Sequence, residues 1–267
     1  MSIQVSAARR CALLSCVTFA AAVGAAEWEG YERLTREALL AAVADARSDT
    51  PAALNAKNLI ELDLSGVDFR GANLSASVLN GAQLAGAKLD RCNLTVSFLE
   101  GANLSGASLR DAVLFSAQLA GADLSGADLT GARLTGDLRK ANLSRAKLIR
   151  TNAAPDMRNQ SMGLMRANVV NAKAIEADFS DADFSRADFS FSDLSRARLP
   201  RTKLYRADLS GAVLTDADLT QADLRDSVLI DTDFSGANLT NADLTGATLQ
   251  GARGLDSATT TGARGLP

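Results

Sequence analysis

The sequence predicts an all-β fold in which the chain winds as a four-sided solenoid, a quadrilateral β-helix. A large apolar residue returns at every fifth position from Leu64 to Leu134 and again from Phe179 to Leu249. A small residue, most often alanine, stands two positions before most of them, and small or polar residues follow. This period fits neither the 3.6-residue repeat of an α-helix nor the two-residue repeat of a strand.

A backbone that turns a corner every five residues satisfies this pattern, because the large residue and the small residue before it then both point inward. Four corners close a coil of about 20 residues, and successive coils pair through their backbones like neighbouring strands. Stacked coils bury an apolar axis that no single coil could bury alone. Residues 59–253 are therefore expected to form a solenoid of roughly nine to ten coils.

The repeated motif is A-[DN]-L-x-x, as in Ala122-Asp123-Leu124 and Ala237-Asn238-Leu239. It resembles the motif of the pentapeptide-repeat proteins, and the resemblance covers about residues 60–253. The resemblance implies a right-handed quadrilateral β-helix and, as is frequent in that family, a homodimer formed through the C-terminal coils. Some members of the family mimic DNA, inhibit the topoisomerase DNA gyrase and confer quinolone resistance, which gives an alternative function.

Residues 1–26 are predicted to be a secretory signal peptide. Two arginines precede the charge-free apolar run Cys11–Ala25, and small residues close the run before the polar stretch that follows. This order is typical of an export signal, here cleaved after Ala25 or Ala26. The apolar run is shorter than the ~20 residues that span a bilayer. We therefore expect a periplasmic or secreted protein with no transmembrane segment after cleavage.

Residues 27–58 are predicted to form a helical N-terminal cap on the first coil. Apolar residues recur at helical spacing over residues 34–47, and Thr35 is a candidate N-cap. Pro51 disfavours continuation of the helix. At the other end, residues 254–267 lose the repeat and are expected to form a tail or a loose cap.

The repeat slips once. The apolar position after Leu134 is Leu138, four residues on, and the next clear one beyond Leu148 is Leu164, which restores the phase. We expect an irregular coil near 149–163 that bulges from a continuous rod, since Pro155 lacks the backbone donor that a regular coil uses.

Charge is unevenly distributed around this slip. Residues 139–175 hold eight basic side chains and one acidic one, whereas residues 176–243 hold fourteen acidic and seven basic ones. One interpretation is solvated surface charge without a partner. The other is a basic belt that docks an anionic partner, with an acidic rod beyond it. The belt consists of Arg139, Lys140, Arg145, Lys147, Arg150, Arg158, Arg166 and Lys173.

The composition argues against most catalytic chemistry. The chain has no histidine and three cysteines, so a histidine-dependent triad, a histidine metal site and a four-cysteine zinc site are excluded. Cys92 replaces an inward alanine and is expected to be a small buried residue. The aspartates and asparagines of the motif are expected to stabilise turns by binding local backbone amides. We predict no catalytic, cofactor or metal residues.

The net charge of −3 does not favour direct binding to nucleic acid. The sequence therefore predicts an exported, non-enzymatic scaffold that binds another macromolecule, expected to be a protein, through the faces of a rigid rod.

Overall fold

The computed structural model describes residues 28–46, 50–155 and 166–266. Regular secondary structure in these ranges is short, because most backbone pairing occurs as single bridges between coils. The helices and strands are β1 (Glu32–Arg33), α1 (Arg36–Ala44), β2 (Lys57–Asn58), β3 (Val113–Gln118), β4 (Arg133–Asp137) and β5 (Ala167–Asn168).

Parallel bridges join residues that are mostly twenty positions apart, such as Asn103 and Asp123. The bridges form four columns, which we call faces 1 to 4 in the order in which the chain visits them. Face 1 runs from Ala53 to Arg264, face 2 from Asn58 to Thr248, face 3 from Asp63 to Arg253 and face 4 from Asp68 to Thr259. This is the predicted four-sided solenoid.

The two inward positions of each repeat fill the axis. Leu124 and Ala122, like the corresponding residues along the rod, have no exposed surface. Three phenylalanines replace leucine in successive repeats, and the rings of Phe179 and Phe184 lie 5.3 Å apart in an edge-on arrangement. The inward orientation predicted from the five-residue period is confirmed.

The corners require backbone with positive φ. Glycine occupies many of these positions, and other residues, such as Lys140 with a φ of 59°, occupy the rest. The bridging Asp or Asn stabilises the turn, because its side-chain oxygen accepts the N–H two residues on. The amide of Ser125 donates to Asp123 over 3.0 Å, and that of Thr240 donates to Asn238 over 3.1 Å. The turn role predicted for these polar residues is confirmed.

The N-terminal segment adds a strand and a helix to the first coil. β1 pairs in parallel with β2, and α1 begins after Thr35, whose hydroxyl accepts the amide of Ala38. Leu39 of α1 is fully buried in the core. The helix predicted over 34–47 is thus present over a shorter range. The division of the chain into a cap, a repeat region and a tail stays a prediction, as does the number of coils.

The predicted slip after Leu134 is present, because Asp123 bridges Asn142, nineteen residues on. Gly136 lies at this point with a φ of 127°, and the register of β3 and β4 shifts there.

The second irregularity differs from the prediction near 149–163. Regular pairing continues through Ala153, and it resumes at Ala167. Asn152 bridges Asp183, thirty-one residues on, so this coil contains eleven additional residues. Leu164 lies outside the described residues, and Val169 is the next buried residue in phase.

The C-terminal residues continue the backbone pairing. Thr259 bridges Asn238 and Arg264 bridges Asp243, each twenty-one residues away, so one additional residue is accommodated. Leu255 packs partly buried against the core. The expected loss of the sequence pattern therefore does not end the stacking of the coils.

Candidate functional site: the outer faces of the rod

The predicted basic belt does not lie on one face. Arg158 is outside the described residues, and the other seven spread from face 2 round to the corner between faces 4 and 1. Arg139 and Arg166 lie on face 2, Lys140 at the corner of faces 2 and 3, Lys173 on face 3, Arg145 at the corner of faces 3 and 4, Lys147 on face 4, and Arg150 at the corner of faces 4 and 1. The belt therefore offers no single docking plane.

Acidic neighbours compensate two of the belt residues. Arg139 pairs with Asp137 at 2.5 Å, and Arg166 pairs with Asp188 at 3.1 Å. The other five described belt residues have no ion pair with a described residue, so the unpaired positive charge of the belt is spread around the coil instead of being gathered on one face.

Faces 4 and 1 carry a set of coil-to-coil ion pairs beyond the belt, which we call the ion ladder. A basic coil, residues 196–206, lies between two acidic ones, residues 176–186 and 216–226. The ladder pairs are Arg196–Glu176 at 3.1 Å, Arg198–Asp178 at 3.5 Å, Arg201–Asp181 at 2.6 Å, Lys203–Asp183 at 3.2 Å and Arg206–Asp226 at 3.4 Å.

Hydrogen bonding stabilises the ionised forms of one ladder pair, Arg201 and Asp181. The Arg201 guanidinium donates to both carboxylate oxygens of Asp181, at 2.6 and 2.8 Å. These bonds lower the pKa of Asp181, and Arg150 of the preceding coil lowers it further. The pKa of Arg201 is raised by the same bonds. The ladder therefore neutralises these two faces coil by coil.

Faces 2 and 3 of the same three coils have a different charge pattern. Residues 187–195, 207–215 and 227–235 contain five aspartates and no lysine or arginine. The five are Asp188, Asp193, Asp208, Asp231 and Asp233, and among them only Asp188 has an ion pair in the described structure. We call this surface the acidic wall. The acidic rod expected from the sequence is thus acidic mainly on one side.

Phe191 lies in the first coil of the acidic wall, at the corner between faces 2 and 3. It is 65% exposed, the most exposed large hydrophobic residue in the described part of the chain. Its φ of 58° is a conformation that bulky residues rarely adopt. The ring lies over Gly211 of the next coil, where any Cβ would come within 2.7 Å of the ring carbon Cδ1.

Cys92 is a buried packing residue. It is fully inaccessible, its Sγ donates to the carbonyl of Phe69 at 3.1 Å, and burial raises the pKa of its thiol to about 12. A thiol with this pKa is a poor nucleophile at neutral pH.

A cleft of about 880 Å³ lies between α1 and the corner of faces 4 and 1. It is an open surface groove, and two of its arginines, Arg70 and Arg110, are paired with Asp68 and Asp128. The described residues contain no His, Cys, Asp and Glu grouping suited to a metal ion. Among the described helices, none has the length and apolar character needed to cross a bilayer.

Comparison with protein families identifies the repeat. Eight copies of the pentapeptide-repeat family model match residues 58–95, 99–136, 164–200, 192–229 and 217–253, which together cover more than half of the chain. The chain belongs to the pentapeptide-repeat family. Pentapeptide-repeat proteins form right-handed quadrilateral β-helices and generally have structural or protein-binding roles, in agreement with the parallel columns described above.

Solved structures of pentapeptide-repeat proteins are similar to this chain. HetL of the cyanobacterium Nostoc, which is involved in regulating heterocyst differentiation, is 31% identical over 86% of this chain and 98% of its own, with a TM-score of 0.43. QnrB1, a plasmid-mediated fluoroquinolone resistance protein, is 21% identical over 78% of this chain and 92% of its own, with a TM-score of 0.35. No curated protein matches the chain.

The ladder and the wall of this pentapeptide-repeat rod were not predicted from the sequence. The charge of residues 176–243 taken along the chain hides them, because neighbours in space are twenty residues apart. Sorting the charges by position within the coil would have separated the two surfaces. Phe191 also had a sequence signal, since a bulky residue occupies a corner slot that glycine fills in the following coil, at Gly211.

Proposed function

We propose that this protein is an exported, non-enzymatic scaffold that binds another macromolecule through the outer faces of a rigid rod. The filled axis is the observation that carries the proposal. Because inward residues such as Leu124 and Ala122 are inaccessible, they offer a substrate no surface to contact. Contact with any partner is therefore left to the outer faces and the ends.

The regular backbone supports a binding role. Each coil bonds to the next on all four faces, as in the bond of 2.7 Å from the amide of Leu104 to the carbonyl of Asp123. Such a rod holds its outward side chains at fixed spacings of about 4.8 Å along each face. Because the scaffold is already ordered, it loses little conformational entropy when a partner that matches this spacing binds.

Site-specific photo-cross-linking tests the proposal. A photoreactive residue is placed at one outward bridging position per face in adjoining coils, namely Asp223, Asp208, Val213 and Asp218. We expect cross-links to one macromolecule from one or two adjacent faces, and excess unlabelled protein should suppress them. Absence of cross-links from all four faces in the native envelope would refute binding through the faces of the rod.

The export step rests on residues 1–26, which lie outside the described residues. Fusing this segment to a reporter enzyme that needs an oxidising compartment should give activity, and the reporter alone should not.

Self-association through the C-terminal coils is part of the same proposal. Leu249 and Leu255 are only partly buried at that end, so a second copy could cover them.

The alternative function, inhibition of a topoisomerase by DNA mimicry, is less well supported. Mimicry needs negative charge along the rod, whereas the bases of the ion ladder neutralise faces 4 and 1. A supercoiling assay with the mature protein separates the two functions, since the scaffold proposal predicts no inhibition of gyrase.

A further inference from the structure

We propose that the acidic wall docks a cationic protein segment and that an arginine of this segment stacks on Phe191. The inference rests on the proposed scaffold function and adds to it a surface and a chemical class of partner. Three observations support the proposal. The other outward aromatic rings are covered by residues of this chain, the backbone holds the ring of Phe191 exposed, and aspartates without an ion pair lie around it.

Outward aromatic rings elsewhere on this rod are covered by the chain itself. Arg133 lies over the ring of Phe115, with its guanidinium carbon 5.3 Å from the ring centre. Tyr205 has two arginines within 6 Å of its ring centre, at 5.0 and 5.8 Å. Phe98 is covered by Trp28, with ring centres 4.7 Å apart. Phe191 is the outward ring of the described residues that has neither an arginine nor an aromatic partner.

The backbone fixes Phe191 in its exposed place. The corner conformation with positive φ costs free energy for a bulky residue, and exposure of the ring to water adds to this cost. Gly211 gives the ring room to lie along the rod instead of pointing freely into solvent. The ring is therefore presented as a fixed apolar platform that a guanidinium can cover.

The aspartates around Phe191 specify the charge of the partner. Three aspartates near Phe191 have no ion pair with a described residue. They are Asp193 on face 3, Asp208 on face 2, and Asp231 at the same corner as Phe191 two coils further on. In the neighbouring ion ladder, by contrast, five carboxylates of the same coils have a basic partner. The unpaired carboxylates would attract a cationic segment and accept hydrogen bonds from its guanidinium groups.

The length of the acidic wall favours a polypeptide segment as the partner over an enzyme that binds along a DNA duplex. The three coils span about 10 Å along the rod at a strand spacing of about 4.8 Å. This length matches only about three phosphates of one DNA strand. Arginine is favoured over lysine, because its planar group can stack on the ring while donating to the carboxylates at its edge.

Binding of labelled peptides to the full mature protein tests the proposal. The probes are a short peptide alternating arginine and serine and a matched peptide with lysine in place of arginine, measured by fluorescence anisotropy at low salt. We expect tighter binding of the arginine peptide. Phe191→Leu, which keeps an apolar residue, should weaken the arginine peptide about two- to five-fold and leave the lysine peptide nearly unchanged.

Charge variants complete the test. Asp208→Asn with Asp231→Asn should weaken both peptides, whereas Asp183→Asn with Asp218→Asn, on faces 1 and 4, is the matched control and should have little effect. Equal losses in the two double variants, or no effect of Phe191→Leu on the arginine peptide, would overturn the proposal. If both peptides bind normally to every variant while cross-linking still finds a partner, the scaffold function stands and this assignment of partner chemistry is wrong.

Discussion

The ion ladder and the acidic wall are two sides of the same three coils. Both sides have the same backbone pairing, as in the bridges Arg198–Asp218 on face 4 and Asp193–Val213 on face 3. On the ladder side, acidic and basic residues alternate from coil to coil, and on the wall side four of the five aspartates have no ion pair with a described residue. This contrast shows that the repeat determines which residue types occupy the inward positions and leaves the charge of the outward positions free to vary.

The energies of the two kinds of position support this division. An exposed ion pair contributes about 0.2–1 kcal/mol, because solvent and salt screen it. A buried leucine contributes about 2–5 kcal/mol when measured by truncation to alanine. Stability therefore resides mainly in the shared axis, and the wall can keep unpaired charge at small cost to the fold.

The largest expected effect tests whether the ladder side and the wall side are stabilised by the same buried apolar axis. Leu194 lies behind face 3 and Leu204 behind face 1, and both are fully buried. Replacing either with alanine leaves a cavity, so each variant should lower the free energy of unfolding by about 2–5 kcal/mol. Urea denaturation measures this loss. A large loss at Leu204 and none at Leu194 would contradict a single axis and make the ladder side the stable unit.

A smaller effect should separate the two outer surfaces. Arg201→Glu removes the ion pair of 2.6 Å with Asp181 and places a second carboxylate beside that aspartate, so we expect a loss of about 1 kcal/mol that salt reduces. Asp231→Lys on the wall should change stability by less than about 0.5 kcal/mol, because it breaks no ion pair. Thermal melts at two salt concentrations compare the variants, and equal losses would remove the distinction between ladder and wall.

The sequence was sufficient to predict the inward positions, because the five-residue period acts locally and repeats. Leu64, Phe69 and Leu74 could each be assigned without knowing which face they occupy, and all three are buried. The turn role of Asp123 and Asn238 followed from the same local geometry. The helix near Thr35 was also predictable, although its ends were not.

The surface was harder to predict, because it depends on which residues of neighbouring coils become adjacent. Each face takes up about five residues, so charges that are close in sequence lie on different faces, and the residue missing before Leu138 and the eleven added after Ala153 change which residues of neighbouring coils stack. Arg139 and Arg150 seemed to belong to one belt, yet they lie on face 2 and at the corner of faces 4 and 1. Aspartates without an ion pair, such as Asp208, can be distinguished from ion-paired ones only when the structure shows which residues of neighbouring coils are adjacent.

The smallest expected effect is a dependence on acid pH that belongs to the ladder. The Arg201 bonds lower the pKa of Asp181 below its ordinary value of about 3.9, so the folded state holds this proton more weakly than the unfolded state does. The stabilisation is fully present above that ordinary value and is lost as pH falls through the lower pKa of the folded state. Thermal melts from neutral pH to pH of about 3 should therefore show the difference between wild type and Asp181→Asn shrinking towards the acid end. Arg201→Gln, which keeps the carboxylate and removes its partner, should show the same convergence, and a difference independent of pH in both variants would mean that the pair adds nothing to stability.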